Sequence, residues 1–155
     1  MNTLKIFVAT MTGTAEYVAQ AIQMDCTDLM RNIEITMMDG LKSDAFEERD
    51  CLYLICSSTY GAGDVPDNGQ QLYASLDDEP RDLSHVKYGV IALGDLGSYP
   101  NTFAGGGKRF DERLESLGAK RISDIFTHDA SGGTMPETDG AAWAREWLSL
   151  ALSPA

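Results

Sequence analysis

The stretch KIFVATMTGTAEYVAQAI, residues 5–22, contains three successive patterns that decide the fold class. Residues 4–9 are a mainly apolar run, which predicts a buried strand. The loop that follows consists of small residues and Met11, with three threonines and one glycine: Thr10, Thr12, Gly13 and Thr14. From Ala15, apolar residues recur at helical spacing, which predicts a helix to about residue 30. A strand, a hydroxyl-rich loop and a helix in this order are typical of a phosphate-binding turn.

The alternation of strand and helix patterns continues along the chain. Further strands are predicted over residues 33–37, 50–57, 86–93 and 121–126. Further helices are predicted over residues 68–77, 108–117 and 141–152. This alternation predicts an α/β fold, a doubly wound parallel sheet with helices on both faces. Since no linker or repeat interrupts the pattern, we expect residues 1–155 to form a single domain.

Two glycine-rich segments limit the predicted helices. Residues 105–107 are three glycines, and each opposes helix formation by about 1 kcal/mol. We therefore expect the third helix to begin only at Lys108. Residues 131–140 contain three more glycines and predict a surface loop ahead of the last helix.

The chain is acidic, and its charge restricts the partners that it can bind. There are 24 Asp and Glu residues against 12 Lys and Arg residues, which gives a formal net charge of -12 at pH 7. This charge disfavours nucleic acid and anionic membrane surfaces, because both attract basic proteins. It favours a basic protein partner that is attracted by charge.

The cysteines and the N-terminus indicate a cytoplasmic protein. Cys26, Cys51 and Cys56 form no C-x-x-C pair, and their odd number suits reduced thiols. The first residues show no signal-peptide pattern, and no apolar run approaches the length of a membrane span. We therefore expect no membrane association.

The first of three loops at the carboxyl ends of the strands, residues 10–16, predicts a phosphate site without a cation. It contains no Lys or Arg. The free amides and dipole of a helix N-terminus, together with threonine hydroxyls, can bind a phosphate without one. The alternative is that Thr12 or Thr14 simply caps the helix.

The other two loops each carry a tyrosine among glycines. Residues 57–68, SSTYGAGDVPDN, contain Tyr60, and residues 92–107 contain Tyr99. The loops are expected to meet at one edge of the sheet, because ligands of such sheets bind beyond the carboxyl ends of the strands. Two tyrosines beside a phosphate turn predict a ligand with a phosphate and a planar aromatic ring.

These motifs resemble those of the flavodoxin family in its short-chain form. The matching segments are TMTGTAE at residues 10–16, STYGAGD at 58–64, GDLGSYPNTF at 94–103 and LGAKRI at 117–122. The resemblance covers nearly the whole chain, and it is especially close to MioC-type flavodoxins and to the FMN modules of diflavin reductases. It implies a five-stranded sheet in the order 2-1-3-4-5 and one non-covalently bound FMN.

The resemblance also implies which residues contact FMN. The phosphate would be bound by Thr10, Met11, Thr12, Gly13, Thr14 and Ala15. The second loop would supply Ser58, Thr59, Tyr60, Gly61 and Ala62 on one face of the isoalloxazine ring. The third loop would supply Leu93, Gly94, Asp95, Leu96, Gly97, Tyr99, Asn101 and Phe103. Tyr99 would stack on the second face of the ring, and Asp129 would contact the cofactor from the loop after the last strand.

The function that the resemblance implies is low-potential electron transfer rather than substrate turnover. The protein would shuttle single electrons from an NAD(P)H-dependent flavodoxin or ferredoxin reductase to acceptor redox enzymes. The sequence shows no motif for nucleophilic catalysis or metal binding, and we expect a monomer. Asp64, Asp67 and Asp95 flank the loops, so we expect basic partners to dock on this acidic flavin edge.

Three other functions share this architecture. An FMN-dependent quinone reductase would need a substrate pocket, for which the chain has no spare segment. A phospho-receiver domain would need an Asp at the end of the third strand, where Ser57, Ser58 and Thr59 stand instead. A flavodoxin-like domain that has lost its flavin would be colourless after purification.

Overall fold

A computed structural model gives the fold and describes residues 3–60, 63–95, 97 and 102–153. Within these ranges the strands are β1 (Thr3–Ala9), β2 (Asn32–Met37), β3 (Cys51–Ser57), β4 (Lys87–Gly94), β5 (Lys120–Arg121) and β6 (Phe126–Asp129). The α-helices are α1 (Thr14–Asp25), α2 (Gln70–Asp78), α3 (Gly105–Ser116) and α4 (Pro136–Ala151). Short 3-10 turns cover Ser43–Phe46, Asp67–Gly69 and Ala130–Gly132.

The strands form one parallel sheet in the order β2-β1-β3-β4, with β5 and β6 both paired to the free side of β4. In the middle of the sheet, Ile6 of β1 lies between Ile35 of β2 and Leu54 of β3. The predicted α/β class and the order 2-1-3-4-5 are confirmed. Because all strands run the same way, their carboxyl ends and the loops that follow lie at one edge.

The core consists of two layers, one on each face of the sheet. Alternate side chains of β1 separate them: Phe7 faces the layer under α2 and α3, whereas Ile6 and Val8 face the layer under α1 and α4. All seven residues of β3 are buried, as expected for a central parallel strand covered on both sides.

The outer strand differs from the continuous strand predicted over residues 121–126. Tyr88 pairs with Arg121 and Ile91 pairs with Phe126, so three steps along β4 face five steps along the outer strand. The extra residues form a bulge at Ser123, whose φ of 66° lies in the left-handed region. Arg121 Nε donates a hydrogen bond of 2.9 Å to the Ser123 carbonyl across this bulge.

The prediction that the third helix begins at Lys108 is wrong, because α3 already begins at Gly105. A Cβ atom at Gly105 would lie 2.6 Å from the Gly63 carbonyl oxygen, and one at Gly107 would lie 2.5 Å from the Ala92 Cβ. A Cβ atom at Gly106 would overlap the Ser58 carbonyl. The first turn of α3 therefore packs directly on backbone, and this packing overrides the weak helix propensity of glycine.

Two further helix boundaries also differ from the predicted ones. The segment 131–140 is only partly a loop, because α4 begins at Pro136, a residue that suits the first position of a helix. Gly140 lies within α4, where an added Cβ would come 2.7 Å from Val18 Cγ1 of α1. α1 ends at Asp25, before the predicted end near residue 30.

Candidate functional site

The turn between β1 and α1 is held by two hydrogen bonds of its backbone. The Thr10 amide donates to Asn68 Oδ1 at 2.9 Å, and the Gly13 amide donates to Thr10 Oγ1 at 3.0 Å. Gly13 is the N-cap residue of α1 and has a φ of 95°, which favours glycine. No side chain caps this helix, so Thr12 and Thr14 do not act as the simple caps considered above.

Four amides of this turn remain without an acceptor among the described residues: those of Met11, Thr12, Thr14 and Ala15. They lie at the positive end of the α1 dipole. Two clefts border the turn, and their described lining contains no Lys or Arg side chain. The turn is therefore a neutral donor site for an anion, built from backbone amides rather than from charge.

The second loop is anchored by long-range hydrogen bonds. The Thr59 hydroxyl donates to the Leu93 carbonyl at 2.8 Å and accepts from the Gly106 amide at 3.1 Å. Arg109 Nε donates to the Gly63 carbonyl at 2.8 Å. The Thr59 hydroxyl is thus used within the protein, where it ties the loop to β4 and α3.

Tyr60 stands at the exposed tip of this second loop. Its amide donates to the Asp64 carbonyl at 2.7 Å, and the Asp64 amide donates back to the Tyr60 carbonyl at 2.9 Å. These bonds close a tight turn while the Tyr60 side chain remains 47% exposed. The loop thereby exposes an aromatic ring beside the backbone bridge between Tyr60 and Asp64.

The two ends of the third loop, at Gly94 of β4 and at Ala104 before α3, lie close together. An added Cβ at Gly94 would lie 2.6 Å from the Ala104 nitrogen, so the two ends of the loop approach each other through glycine. Ala104 is buried and has a φ of 56°, a left-handed conformation that is unusual outside glycine. The described ends of the loop therefore form a strained, tightly packed junction at the start of α3.

The three loops enclose a cleft of ≈ 330 Å³ at the carboxyl edge of the sheet. Its lining contains eight residues predicted for the site: Met11, Thr14, Ser58, Thr59, Leu93, Gly94, Asp95 and Phe103. A neighbouring cleft of ≈ 500 Å³ is lined by Thr10, Met11, Asp39, Tyr60, Asp67 and Asn68. The first volume falls within the range of small-molecule sites, about 300–1,000 Å³.

The remaining predicted residues divide into two groups. Thr12, Gly13, Ala15, Gly97 and Asp129 are described but line neither cleft. Gly61, Ala62, Leu96, Tyr99 and Asn101 lie outside the described residues. The stacking role of Tyr99 and all contacts with FMN stay predictions.

Asp129 accepts hydrogen bonds from Ser131, two residues further along the chain. Its Oδ1 accepts hydrogen bonds from the Ser131 amide at 2.9 Å and from the Ser131 hydroxyl at 2.6 Å. These bonds cap the 3-10 turn that begins at Ala130, and Ala130 lines the cleft. Asp129 therefore positions a wall of the cleft.

Four residues of the site were not predicted from the sequence. Thr102, Ala104 and Ala130 line the cleft, and Asn68 holds the Thr10 amide. The first two lie beside Phe103, so extending that segment by one residue each way would have included them. Asn68 begins a predicted helix, which favours a local capping role, and no local pattern indicates a bond across 58 residues.

Cys56 of β3 contacts the start of α1, next to the phosphate turn. Its thiol donates a hydrogen bond of 3.3 Å to the Ala15 carbonyl and so connects β3 to the start of α1. Complete burial raises the pKa of the Cys56 thiol from 9.0 to about 12, so the side chain stays neutral at physiological pH. Within the described part of the chain, no group of His, Cys, Asp and Glu residues could bind a metal ion.

Comparison with known proteins assigns the family. The profile of the flavodoxin family matches residues 6–143. Flavodoxin YqcA of Pectobacterium carotovorum is 35% identical over 150 residues, which cover 97% of each chain. Protein MioC of Escherichia coli O157:H7 is 31% identical over 138 residues, 89% of this chain and 90% of MioC. Bovine NADPH–cytochrome P450 reductase is 37% identical over 148 residues, 92% of this chain but 21% of that longer protein.

A solved structure gives the same assignment. A mutant of the flavodoxin from Pseudomonas aeruginosa superposes with a TM-score of 0.79 at 32% identity, covering 96% of this chain and 97% of that one. The fold and site therefore define a flavodoxin-like protein with a ligand cleft at the carboxyl edge of its sheet. The chain belongs to the flavodoxin family, whose cofactor is FMN.

The chemistry of the described residues fits this cofactor. The unbonded amides of the turn at residues 11–15 suit a phosphate, and the largely apolar cleft beside them suits a flavin ring. Tyr60 supplies an exposed aromatic surface in the neighbouring cleft, which Thr10 and Met11 of the turn also line. FMN would be held by its phosphate at the turn and by its ring between the second and third loops.

Among the described residues, none of the helices has both the length and the apolar character needed to cross a bilayer.

Proposed function

We propose that the whole chain is one FMN-binding domain that carries single electrons at low potential. It would receive them from an NAD(P)H-dependent flavodoxin or ferredoxin reductase and deliver them to acceptor redox enzymes. The observation that carries this proposal is the neutral turn at residues 10–15, beside a cleft formed by all three loops. When bound, FMN supplies the one-electron oxidation and reduction.

The charges around the cleft support a low reduction potential. Asp95 lines the cleft, and Asp39 and Asp67 line the neighbouring one. Lys108 lies 5.3 Å from the Phe103 ring centroid, and Arg109 pairs with Asp64 at 3.6 Å, but neither cation lines the two clefts. A negative setting makes each added electron more costly, which lowers the potential.

Exposed carboxylates near the two clefts would form the docking surface for partners. Asp39, Asp64 and Asp67 are exposed beside Tyr60 and the phosphate turn. With a net charge of -12, this edge would attract basic surfaces of a reductase or acceptor. Surface charges are screened within about 10 Å at 0.1 M salt, so docking should weaken as salt rises.

The protein's own groups would bind and orient the cofactor rather than perform chemistry on a substrate. The amides of the turn would bind the phosphate, and the second loop, anchored through Thr59 and Gly63, would position the Tyr60 ring. The three described cysteines are buried and unpaired, which suits a reducing compartment such as the cytoplasm. We propose that the carrier acts as a monomer.

Purification tests the proposal directly. The protein should be yellow, should release FMN in acid, and should bind FMN again as the apoprotein. With an NADPH-dependent flavodoxin reductase it should pass electrons to cytochrome c, at a rate that falls as salt is added. A protein that binds no FMN would refute the proposal, and NAD(P)H-driven quinone reduction by the protein alone would indicate a quinone reductase instead.

A further inference from the structure

Asn68 connects the phosphate turn to two other segments at the same edge. Its Oδ1 accepts the Thr10 amide at 2.9 Å. Its Nδ2 donates to the Val8 carbonyl at 3.2 Å and to Asp39 Oδ2 at 3.3 Å. One side chain from the segment after β3 therefore joins the end of β1, the turn after it, and the residues that follow β2.

These partners require an amide side chain at position 68. One neighbour is a donor and two are acceptors, so the side chain must accept once and donate twice, which Asn does. The Val8 carbonyl and the Asp39 carboxylate also determine which end of the amide faces Thr10. An Asp at this position would offer no donor to either of them, and an Ala would leave the Thr10 amide without its partner.

The backbone around Asn68 holds it in place. Asn68 lies in the 3-10 turn Asp67–Gly69, and the next residue, Gly69, packs against β1. An added Cβ at Gly69 would lie 3.0 Å from the Ala9 Cβ and 2.9 Å from Val65 Cγ1. The 3-10 turn that carries Asn68 therefore lies beside the end of β1, where the phosphate turn begins.

The bond to Asn68 also determines which amides remain available. It occupies the Thr10 amide, and the Thr10 hydroxyl in turn accepts the Gly13 amide. With these two amides used internally, those of Met11, Thr12, Thr14 and Ala15 are left for a ligand. Without the bond to Asn68, the Thr10 amide would no longer be fixed, and the amides that follow it would not be held in the same arrangement.

We propose that Asn68 is a positioning residue for the phosphate group: it sets the phosphate turn in its binding conformation through the Thr10 amide. The proposal rests on the proposed function, because it assumes that the turn binds the FMN phosphate. Asn68 acts through the Thr10 amide, so its loss should affect recognition of the phosphate more than binding of the flavin ring.

The test compares FMN with riboflavin, which has the same ring but no phosphate. Affinities of the apoprotein for both are measured by quenching of flavin fluorescence, for the wild type, Asn68→Ala and the control Asn32→Ala. Asn32 is an exposed residue of β2. Asn68→Ala should weaken FMN binding about tenfold, the scale of one hydrogen bond to a well-placed group, while riboflavin affinity changes less than about twofold.

Amide hydrogen exchange in the apoprotein gives a second readout that needs no cofactor. The Thr10 amide should exchange about tenfold faster in Asn68→Ala than in the wild type, while amides of β3 keep their protection. If the alanine variant does not fold, Asn68→Ser carries the same two measurements, because Ser suits a tight turn but is too short to reach Thr10.

The outcomes separate this inference from the proposed function. An unchanged FMN-to-riboflavin affinity ratio in the folded variant would overturn the role of Asn68, as would an equal loss of both affinities. Wild-type protein that binds neither flavin would refute the proposed function itself. A selective loss of FMN affinity with faster exchange at Thr10 would establish the positioning role.

Discussion

The turn after β1 and the loop after β3 border the same site but are held in opposite ways. In the first, the amides of Thr10 and Gly13 are bonded, and those of Met11, Thr12, Thr14 and Ala15 have no acceptor among the described residues. In the second, Thr59 and Gly63 are tied to β4 and α3 through Leu93, Gly106 and Arg109. The first loop leaves backbone donors available to a ligand, whereas Thr59 and Gly63 of the second loop form hydrogen bonds to β4 and α3.

We therefore expect the first loop to contribute mainly to ligand binding and the anchors of the second loop to contribute mainly to the stability of the fold. A substitution in the first loop should change ligand affinity and leave stability almost unaltered. A substitution in the anchors of the second loop should lower stability first, because those anchors are part of the packed interior. The four predictions below test that division, from the largest expected effect to the smallest.

Gly106→Ala should be the most damaging change. The new methyl group would overlap the Ser58 carbonyl, and backbone cannot move aside as a side chain can. We expect the free energy of unfolding to fall by about 3 kcal/mol, the upper range for overpacking a core. Urea denaturation measures it, with Gly132→Ala as control, because a Cβ there meets nothing closer than 4.0 Å. Equal stabilities of the two variants would contradict the tight packing of α3.

Replacing both Thr12 and Thr14 by Val should affect binding instead. Within the described residues no hydrogen bond uses either hydroxyl, so the fold should be unaffected. Loss of two donors to a phosphate should weaken FMN affinity by about 30-fold to 150-fold, at about 1–1.5 kcal/mol each. Fluorescence titration measures the affinity. Thr27→Val, an exposed position just beyond the end of α1, should bind FMN as the wild type does.

Cys56→Ala should change how stability depends on alkaline pH. Burial raises the pKa of the folded thiol from 9.0 to about 12, so between these values the unfolded state loses a proton that the folded state keeps. Stability therefore falls as pH rises through this window, by about 1.4 kcal/mol per pH unit for one proton.

The alanine variant should lose that part of the pH dependence while retaining any contribution from the other buried thiols and tyrosines. Unfolding by urea at a series of pH values from 8 to 11 measures the slope. The same slope in both proteins would mean that Cys56 is ionised in the folded state. Because the Cys56 thiol donates a hydrogen bond to the Ala15 carbonyl, this experiment also tests whether that bond stabilises the start of α1.

Arg109→Gln should have the smallest effect. It removes the bond from Nε to the Gly63 carbonyl and the ion pair with Asp64, but the side chain is 47% exposed. We expect a loss of about 1 kcal/mol in unfolding free energy, since exposed ion pairs add little to one hydrogen bond. Arg31→Gln, an exposed position directly before β2, serves as control. A loss no larger than that of the control would show that the second loop does not need this anchor.

The elements that could be predicted from the sequence are those whose signal is local. Strands and helices followed from the period of apolar residues, and β1, β2 and β3 lie close to their predicted positions. The three loops and most of the cleft also followed, because each motif comes directly after a strand. Eight of the predicted residues line that cleft.

The elements that were missed depend on distant contacts. Local propensity at residues 105–107 predicts no helix, yet the neighbouring backbone of Gly63 and Ser58 makes glycine the residue that allows α3 to begin there. The outer strand is divided because Ser123 adopts a left-handed conformation within a bulge, which no apolar pattern reports. Asn68 reaches a residue 58 positions away.

The sequence by itself determined the fold class and, by resemblance, the strand order, and it predicted a phosphate turn without a cation. These depend on side-chain periodicity, on glycine and threonine in a short segment, and on charge, all of which are properties of neighbouring residues. Only the tertiary structure decided which amides of that turn remain available. That choice depends on the acceptors that other strands bring to it, and the acceptor for Thr10 comes from Asn68.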